Sequence, residues 1–274
     1  MRHGRSPFQA ALEAAGLQEA RFEAQLAATS VAVSARFEAG GRRYVVRQDR
    51  SGAQSLGLDR AREVMLMAAA ADQGLAPETV FHDAEMGVLV RRHVPGHSWQ
   101  QAPGEVDWAA VGAVLRRVHE LPMPAVAPLD IAHCGTRYAV LTGGGDALRF
   151  AQTLGERAAA LMADGINCTC HNDAHLGNLI GPVGDAAAVQ MIDWEYAAPG
   201  HPLFDLAVVA GYHQLDERAR KSLVAGWAGD APLVDPVALV DFIDLYDGLS
   251  SLWSQAVSKL ELDHPRQGRQ AERY

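Results

Sequence analysis

The sequence predicts an α+β fold of two lobes, a small β-rich lobe over residues 1–93 and a larger helical lobe over residues 94–274. Three observations predict it. Apolar and β-branched residues alternate with period two within the first third of the chain, as half-buried strands require. Beyond residue 106 apolar residues recur at helical spacing in one segment after another. That helical pattern is broken by residues 178–192, where two short apolar ends flank a glycine-rich turn, a β-hairpin signal inside the helical lobe.

Along the chain, PFQAALEAAGL (7–17) spaces Phe8, Leu12 and Leu17 as an amphipathic helix ending near Gly16. Residues 20–49 then change period: VAVSARFE, a Gly40-Gly41 turn and RRYVVRQ form a hairpin signal. Asp59 begins a capped helix that runs to about Gln73 and is closed by Gly74, with Pro77 beyond. Residues 87–93 read as a strand stopped by Pro95-Gly96. Helices are expected at 107–122 and 147–165, then, after the 178–192 hairpin, at 204–214, 216–229 and 236–262. No internal repeat interrupts this order.

Charge and composition narrow the function. A net charge of −9 argues against a nucleic-acid surface and tolerates a cationic small substrate. No apolar run reaches the roughly 20 residues that span a bilayer, and MRHGRSPFQAALEAAGL lacks a leader's apolar core and cleavage site, so a cytoplasmic protein without a membrane span is expected. Cys134, Cys168 and Cys170 read as free thiols. Lys221 and Lys259 are the lysines of the chain, so any basic chemistry in the N-terminal lobe falls to arginine.

The densest chemistry lies in CHNDAHLGNLI, residues 170–180. Cys168, Cys170, His171, Asp173 and His175 offer zinc-type ligands, but no second histidine cluster stands at ligand spacing. The other reading is phosphoryl transfer, which needs positioning, magnesium and a base near the attacking hydroxyl. His171-Asn172-Asp173, four residues, then Asn178 follows the H-x-D-x-x-x-x-N spacing of kinase catalytic loops, and Asp193 in MIDWE ends an apolar strand where a second metal-binding aspartate stands in kinases.

Together with IDWEYA and the downstream PLFDLA, these motifs resemble the aminoglycoside phosphotransferase and choline kinase superfamily, in wording most like its bacterial choline/ethanolamine-kinase-like and thiamine-kinase-like members. The resemblance implies a protein-kinase-like fold, ATP and Mg2+ as cofactors, and a small-molecule alcohol as the partner of a monomer or homodimer. It implies Asp173 as catalytic base, Asn178 and Asp193 as magnesium ligands, and His171 as the residue shaping the catalytic loop. It places a phosphate-contacting cation on a strand, Arg47, paired with a helix glutamate, Glu63; arginine suits that role because it keeps its charge and offers a fork of donors. The expected phosphate loop is Ala27 to Ser34, where Thr29 and Ser30 offer hydroxyls and backbone N–H groups but no glycine eases a close approach. Asp205 is expected to cap a helix and brace the catalytic hairpin.

For the acceptor, aromatic faces and acids around a cation point to Glu195, Tyr196, Asp247 and Trp253, with Tyr246 and Asp244 beside them. Choline, ethanolamine or thiamine are the expected classes of alcohol. An aminoglycoside or amino sugar, or an inactive relative that binds a nucleotide or amine, is the alternative.

Overall fold

The computed structural model of the protein describes residues 7–102, 105–163, 165–230 and 236–263. The first residues of the stretch read for a leader, and position 164 of the expected 147–165 helix, lie outside the described residues. Helix α1 (Pro7–Ala14) leads into three antiparallel strands, β1 (Arg21–Ala28), β2 (Ala32–Ala39) and β3 (Arg42–Asp49). After the short helix α2 (Ser51–Leu56) and helix α3 (Arg60–Asp72) come β4 (Thr79–Asp83) and β5 (Val88–Arg92), which complete a sheet of order β1-β2-β3-β5-β4. Asp59 caps α3 by accepting from the Arg62 N–H at 3.0 Å, as its position before the apolar run predicts.

Period-two alternation decides the two faces of this sheet. Phe37, Tyr44, Val46, Val88 and Val90 pack with Phe8 and Leu12 of α1 into a small core of their own. The intervening residues Ser34, Val45, Arg47, Leu89 and Arg91 turn the other way, toward α3 and the rest of the chain. In register Val45 lies opposite Arg91 and Arg47 opposite Leu89, so these side chains share one row-and-column grid.

The helical part contains α4 (Trp108–His119), α5 (Ile131–Thr142) and α6 (Gly145–Met162), then the short strands β6 (Cys168–Cys170), β7 (Leu179–Ile180), β8 (Gln190–Met191) and β9 (Ala198–Gly200). Helices α7 (Pro202–Tyr212), α8 (Glu217–Ala228) and α9 (Pro236–Asp263) follow. The predicted hairpin is the β7–β8 pair, with Leu179 opposite Met191. Strand β6, which enters the catalytic loop, pairs with β9 beyond the hairpin and closes the motif at its base. Helix α7 is buried from Leu203 to Ala210, which makes it the axis of the large core.

Strands β1 and β4 and helices α2 and α5 are not singled out by the sequence pattern. Helix α5, IAHCGTRYAVLT, is weak in intrinsic propensity and is held by packing against α6 and α9. Among the described residues no helix is long and apolar enough to cross a membrane.

Helices α4 and α8 approach through glycine. A Cβ on Gly226 would run into the Ala109 backbone, and one on Gly112 into the Leu223 carbonyl. Gly226→Ala is therefore expected to destabilise the protein by about 1–3 kcal/mol, read as a lowered midpoint in denaturant titration; an unchanged midpoint would show that the two helices separate freely.

Candidate active site

The catalytic loop is anchored from below by one carboxylate. Asp205, in the first turn of α7 and fully buried, accepts from the backbone N–H of His171 at 2.9 Å and of Asn172 at 2.6 Å. It does not cap its own helix, a place taken by His201, which accepts from the Leu203 N–H; bracing the loop is its work. His119 Nε2 lies 3.0 Å from Asp205, and its Nδ1 accepts from the Trp227 indole N–H at 2.8 Å. Since indole nitrogen only donates, Nε2 carries the imidazole proton and donates it to Asp205. Burial alone would raise the Asp205 carboxyl; the His119 hydrogen bond and the charge and backbone donors around it win, and it is held below the usual aspartate range.

His171 is buried and does not line the cavity beside Asp173, so its side chain meets protein groups alone. Its Nε2 lies 3.0 Å from the Ile192 carbonyl, to which it must donate, and the Ile192 N–H donates back to the Asn178 carbonyl at 3.0 Å. Loop and hairpin are thereby clipped together at Ile192, the residue before Asp193. Asn172 and Asp193 each have φ of 61°, the left-handed region that Asn and Asp tolerate better than most residues. The Asn172 side chain donates to the Tyr196 carbonyl at 2.9 Å, locking its turn.

Asp173 stands between this scaffold and an open cavity, its side chain 32% exposed. Asn178 donates through Nδ2 to the Asp173 carbonyl at 2.9 Å and to its carboxylate at 3.1 Å. Because a carbonyl cannot donate, the amide orientation is fixed and the Asn178 oxygen is left free. The Asp193 carboxylate does not cap the turn that follows it. Asp193 lines the cleft and Asn178 meets Asp173, and a carboxylate and an amide oxygen are the kinds of ligand a hard cation such as Mg2+ takes, so the residue types fit the ion that the motif implies. Burial, then the charges of Glu195 and Asp193, push the Asp173 carboxyl well above its ordinary value.

Above the loop, Arg47 and Glu63 form a fork-to-fork pair at 2.6 and 2.7 Å. Arg60, which the sequence reading missed, ties the same place together: it donates to Asp49 at 2.6 and 2.8 Å, to Glu63 at 2.9 Å and to Glu195 at 2.8 Å. Its last contact joins the strand-rich part to the catalytic hairpin. Its signal in the sequence is position alone, three residues before Glu63 on one helix face. Thr29 and Ser30 do not reach this cleft. The Thr29 hydroxyl accepts from the N–H groups of Val31 and Ala32 at 3.2 and 3.1 Å, spending itself on its own turn, and the Ser30 hydroxyl is buried without a partner. Ser34, further along β2, lines the cleft with Arg47, Arg91 and Asp193.

Beside Asp173 lies a cavity of about 270 Å³ lined by Tyr138, Tyr196, Phe204, Tyr212, Tyr246 and Trp253, with Asp173 and Glu195 as its acids. Among the described residues no lysine or arginine lines it. Trp253 donates to the Tyr196 hydroxyl at 2.9 Å, and His175 stacks on Tyr212 with ring centres 4.5 Å apart. Asp247 is absent from this lining and sits exposed on α9, while Asp244 pairs with Arg157 at 3.2 Å. The acids expected from α9 therefore face outward, because helical rotation that turns Tyr246, Leu249 and Trp253 inward carries Asp244 and Asp247 away. Tyr138 comes from the unforeseen helix α5.

The zinc-type set divides in the structure. Cys168 and Cys170 come together with His119, all ligand atoms within 4.8 Å of one another, and not with His171, Asp173 or His175. Both nitrogens of His119 are already engaged, and Cys170 is buried with its thiol raised well above the usual range, the Cys168 contact and burial being the causes. A neutral thiol and a satisfied imidazole do not make a zinc site.

Comparison with known proteins agrees with this geometry. Residues 25–238 match the phosphotransferase enzyme family. No curated protein sequence matches the chain. Among solved structures, the choline kinase LicA from Streptococcus pneumoniae is similar at a TM-score of 0.69 and 19% identity, over 92% of this chain and 90% of that one. LicA in complex with AMP is similar at 0.67 and 18%, over 94% and 92%. A type VIII aminoglycoside-3'-phosphotransferase is similar at 0.66 and 20%, over 88% and 98%. These likenesses show the kinase-like fold that the two-lobed pattern predicts.

Asp205→Asn should destabilise the protein by about 3 kcal/mol, since an amide N–H₂ would face donors. The carboxyl's folded value is depressed, so its contribution is present above the unfolded value of about 4 and is lost as pH falls through the folded one. Denaturant titrations at neutral pH should show the full gap between parent and variant, and those below about pH 4 a narrowing one; a gap that widens on acidification would contradict the anchor.

Proposed function

Because the chain belongs to the phosphotransferase enzyme family, we propose that it is an ATP-dependent kinase that transfers the γ-phosphoryl group to the hydroxyl of a small cationic alcohol of the choline, ethanolamine or thiamine class. The observation that carries the acceptor class is the cavity beside Asp173: aromatic walls, two acids and, among the described residues, no lysine or arginine. At about 270 Å³ it lies at the small end of ligand sites, which favours a compact alcohol over a multi-ring aminoglycoside. The AMP complex of the similar choline kinase supports an adenine nucleotide as donor.

In this reading the two lobes, 1–93 and 94–274, divide the work. The acceptor hydroxyl lies at the mouth of the cavity against Asp173, which takes its proton as the oxygen attacks the γ-phosphorus; the new O–P bond forms as the bond to the β-phosphate oxygen breaks and ADP leaves. Asn178 and Asp193 would hold Mg2+, whose charge offsets that of the phosphate oxygens. Arg47, fixed by Glu63, faces the phosphates, and Tyr196 and Trp253 cover the acceptor's cationic end, with Glu195 as its counter-charge. A cytoplasmic monomer or homodimer without a nucleic-acid partner suits the net charge of −9.

Asp173→Asn should lower turnover by about a thousandfold while calorimetric Mg-ATP affinity stays within about threefold; near-parental turnover would remove Asp173 as the base. Trp253→Ala should raise the acceptor's KM about tenfold, the equivalent of 1.4 kcal/mol, with the KM for ATP unmoved. A neutral isostere of the acceptor, with carbon in place of the quaternary nitrogen, should be a poor substrate of the parent, and equal use of the two would replace the cationic acceptor by a neutral alcohol.

A further inference from the structure

The cleft between the sheet and the catalytic hairpin is short of positive charge. Arg47 and Arg60 are set against the carboxylates of Glu63, Asp49 and Glu195, all within 4.0 Å of one guanidinium or the other. Asp193 adds a further negative charge at the same place. Arg36 and Arg43, along the same sheet, share Glu23. A polyphosphate at the mouth of this cleft, whose own volume is about 20 Å³, would meet arginines whose charge is already compensated.

Arg91 is the exception. It stands on β5 opposite Val45, its side chain directed into the cleft alongside Arg47, Ser34 and Asp193. Its one hydrogen bond goes from Nη1 to the neighbouring Arg92 carbonyl at 3.3 Å, and among the described residues it forms no ion pair. A guanidinium carries five N–H donors, so most of its capacity faces the cleft unspent. The turn from Ala28 to Ala32 does not supply that capacity, because Thr29 closes its own turn and Ser30 is buried.

We propose that Arg91 is a nucleotide-binding residue, which meets the polyphosphate of the bound nucleotide with donors that no carboxylate among the described residues claims. The assignment rests on the kinase reading and deepens it: the site would bind phosphate through a strand-borne arginine beside Arg47 in place of a glycine-rich turn. A guanidinium fork suits two phosphate oxygens at once, whereas a lysine offers a single point of charge.

Three probes bound to the full-length protein test it: Mg-ATP, inorganic tripolyphosphate and adenosine, by calorimetry on the parent, Arg91→Met and Arg91→Lys. Arg91→Met should weaken tripolyphosphate and Mg-ATP about tenfold to a hundredfold and leave adenosine unchanged, and Arg91→Lys should recover part of the loss. In turnover the KM for ATP should rise with the acceptor's KM unmoved. Unchanged tripolyphosphate affinity in Arg91→Met and Arg91→Lys would overturn the proposal, as would tighter ATP binding in Arg91→Met, which would make the side chain an obstruction. If Arg91→Met does not fold, Arg91→Lys decides through the same comparison of tripolyphosphate with adenosine. A parent that binds tripolyphosphate through Arg91 but phosphorylates no alcohol would end the kinase reading and leave the anion site standing; a parent that binds neither ATP nor tripolyphosphate would end both.

Discussion

Asp205 is fully buried, and its two oxygens receive the backbone of His171 and Asn172 together with the imidazole of His119. A buried charge of this kind is tolerable only when its hydrogen-bond capacity is filled, and the donors come from two distant stretches of chain, helix α4 and the 171–172 turn. Helix α7, the most buried of the helices, supplies the rigid base. The catalytic loop therefore inherits its position from the core and not from its own residues. With the loop fixed, the hydrogen bonds that join His171, Ile192 and Asn178 hold the residue that leads into the turn at Asp193.

A second layer of charge joins the sheet to that loop. Arg60 bridges Asp49 at the end of β3, Glu63 on its own helix and Glu195 on the hairpin, so that the nucleotide side and the catalytic side share one guanidinium. Bidentate arginine geometry gives such a network its direction as well as its strength. The same network consumes the charge of Arg47 and Arg60. For this reason the uncompensated Arg91 matters to an anionic ligand more than its place on an ordinary strand would imply.

Much of this was readable from the residues. The alternation in RRYVVRQ set out the strand that carries Arg47, and the spacing of His171, Asp173 and Asn178 set out a loop in which Asn178 meets Asp173. The Arg47–Glu63 pair was legible through the family resemblance, which sets a strand cation against a helix glutamate. What could not be read depends on rotation and long-range pairing. Asp247 faces away because a helix that buries Tyr246, Leu249 and Trp253 has no inward place for it, and one sequence does not reveal that phase among so many apolar residues. Thr29 and Ser30 lie in the expected turn, but the Thr29 hydroxyl is taken by the turn's own backbone and the Ser30 hydroxyl is buried without a partner. Tyr138 escaped notice because helix α5 owes its existence to its neighbours.

The central claim is that these two layers of charge assemble one phosphoryl-transfer site opening on an aromatic, acid-bearing cavity. Its most direct measurement is ATP consumption, with product mass, over a panel of choline, ethanolamine, thiamine, amino sugars and neutral alcohols, run with and without magnesium. The account predicts a magnesium-dependent phosphorylated product from one of the small cationic alcohols and little from the amino sugars or neutral alcohols. ATP binding with no product from any member, or a preferred product from a neutral alcohol, would contradict it.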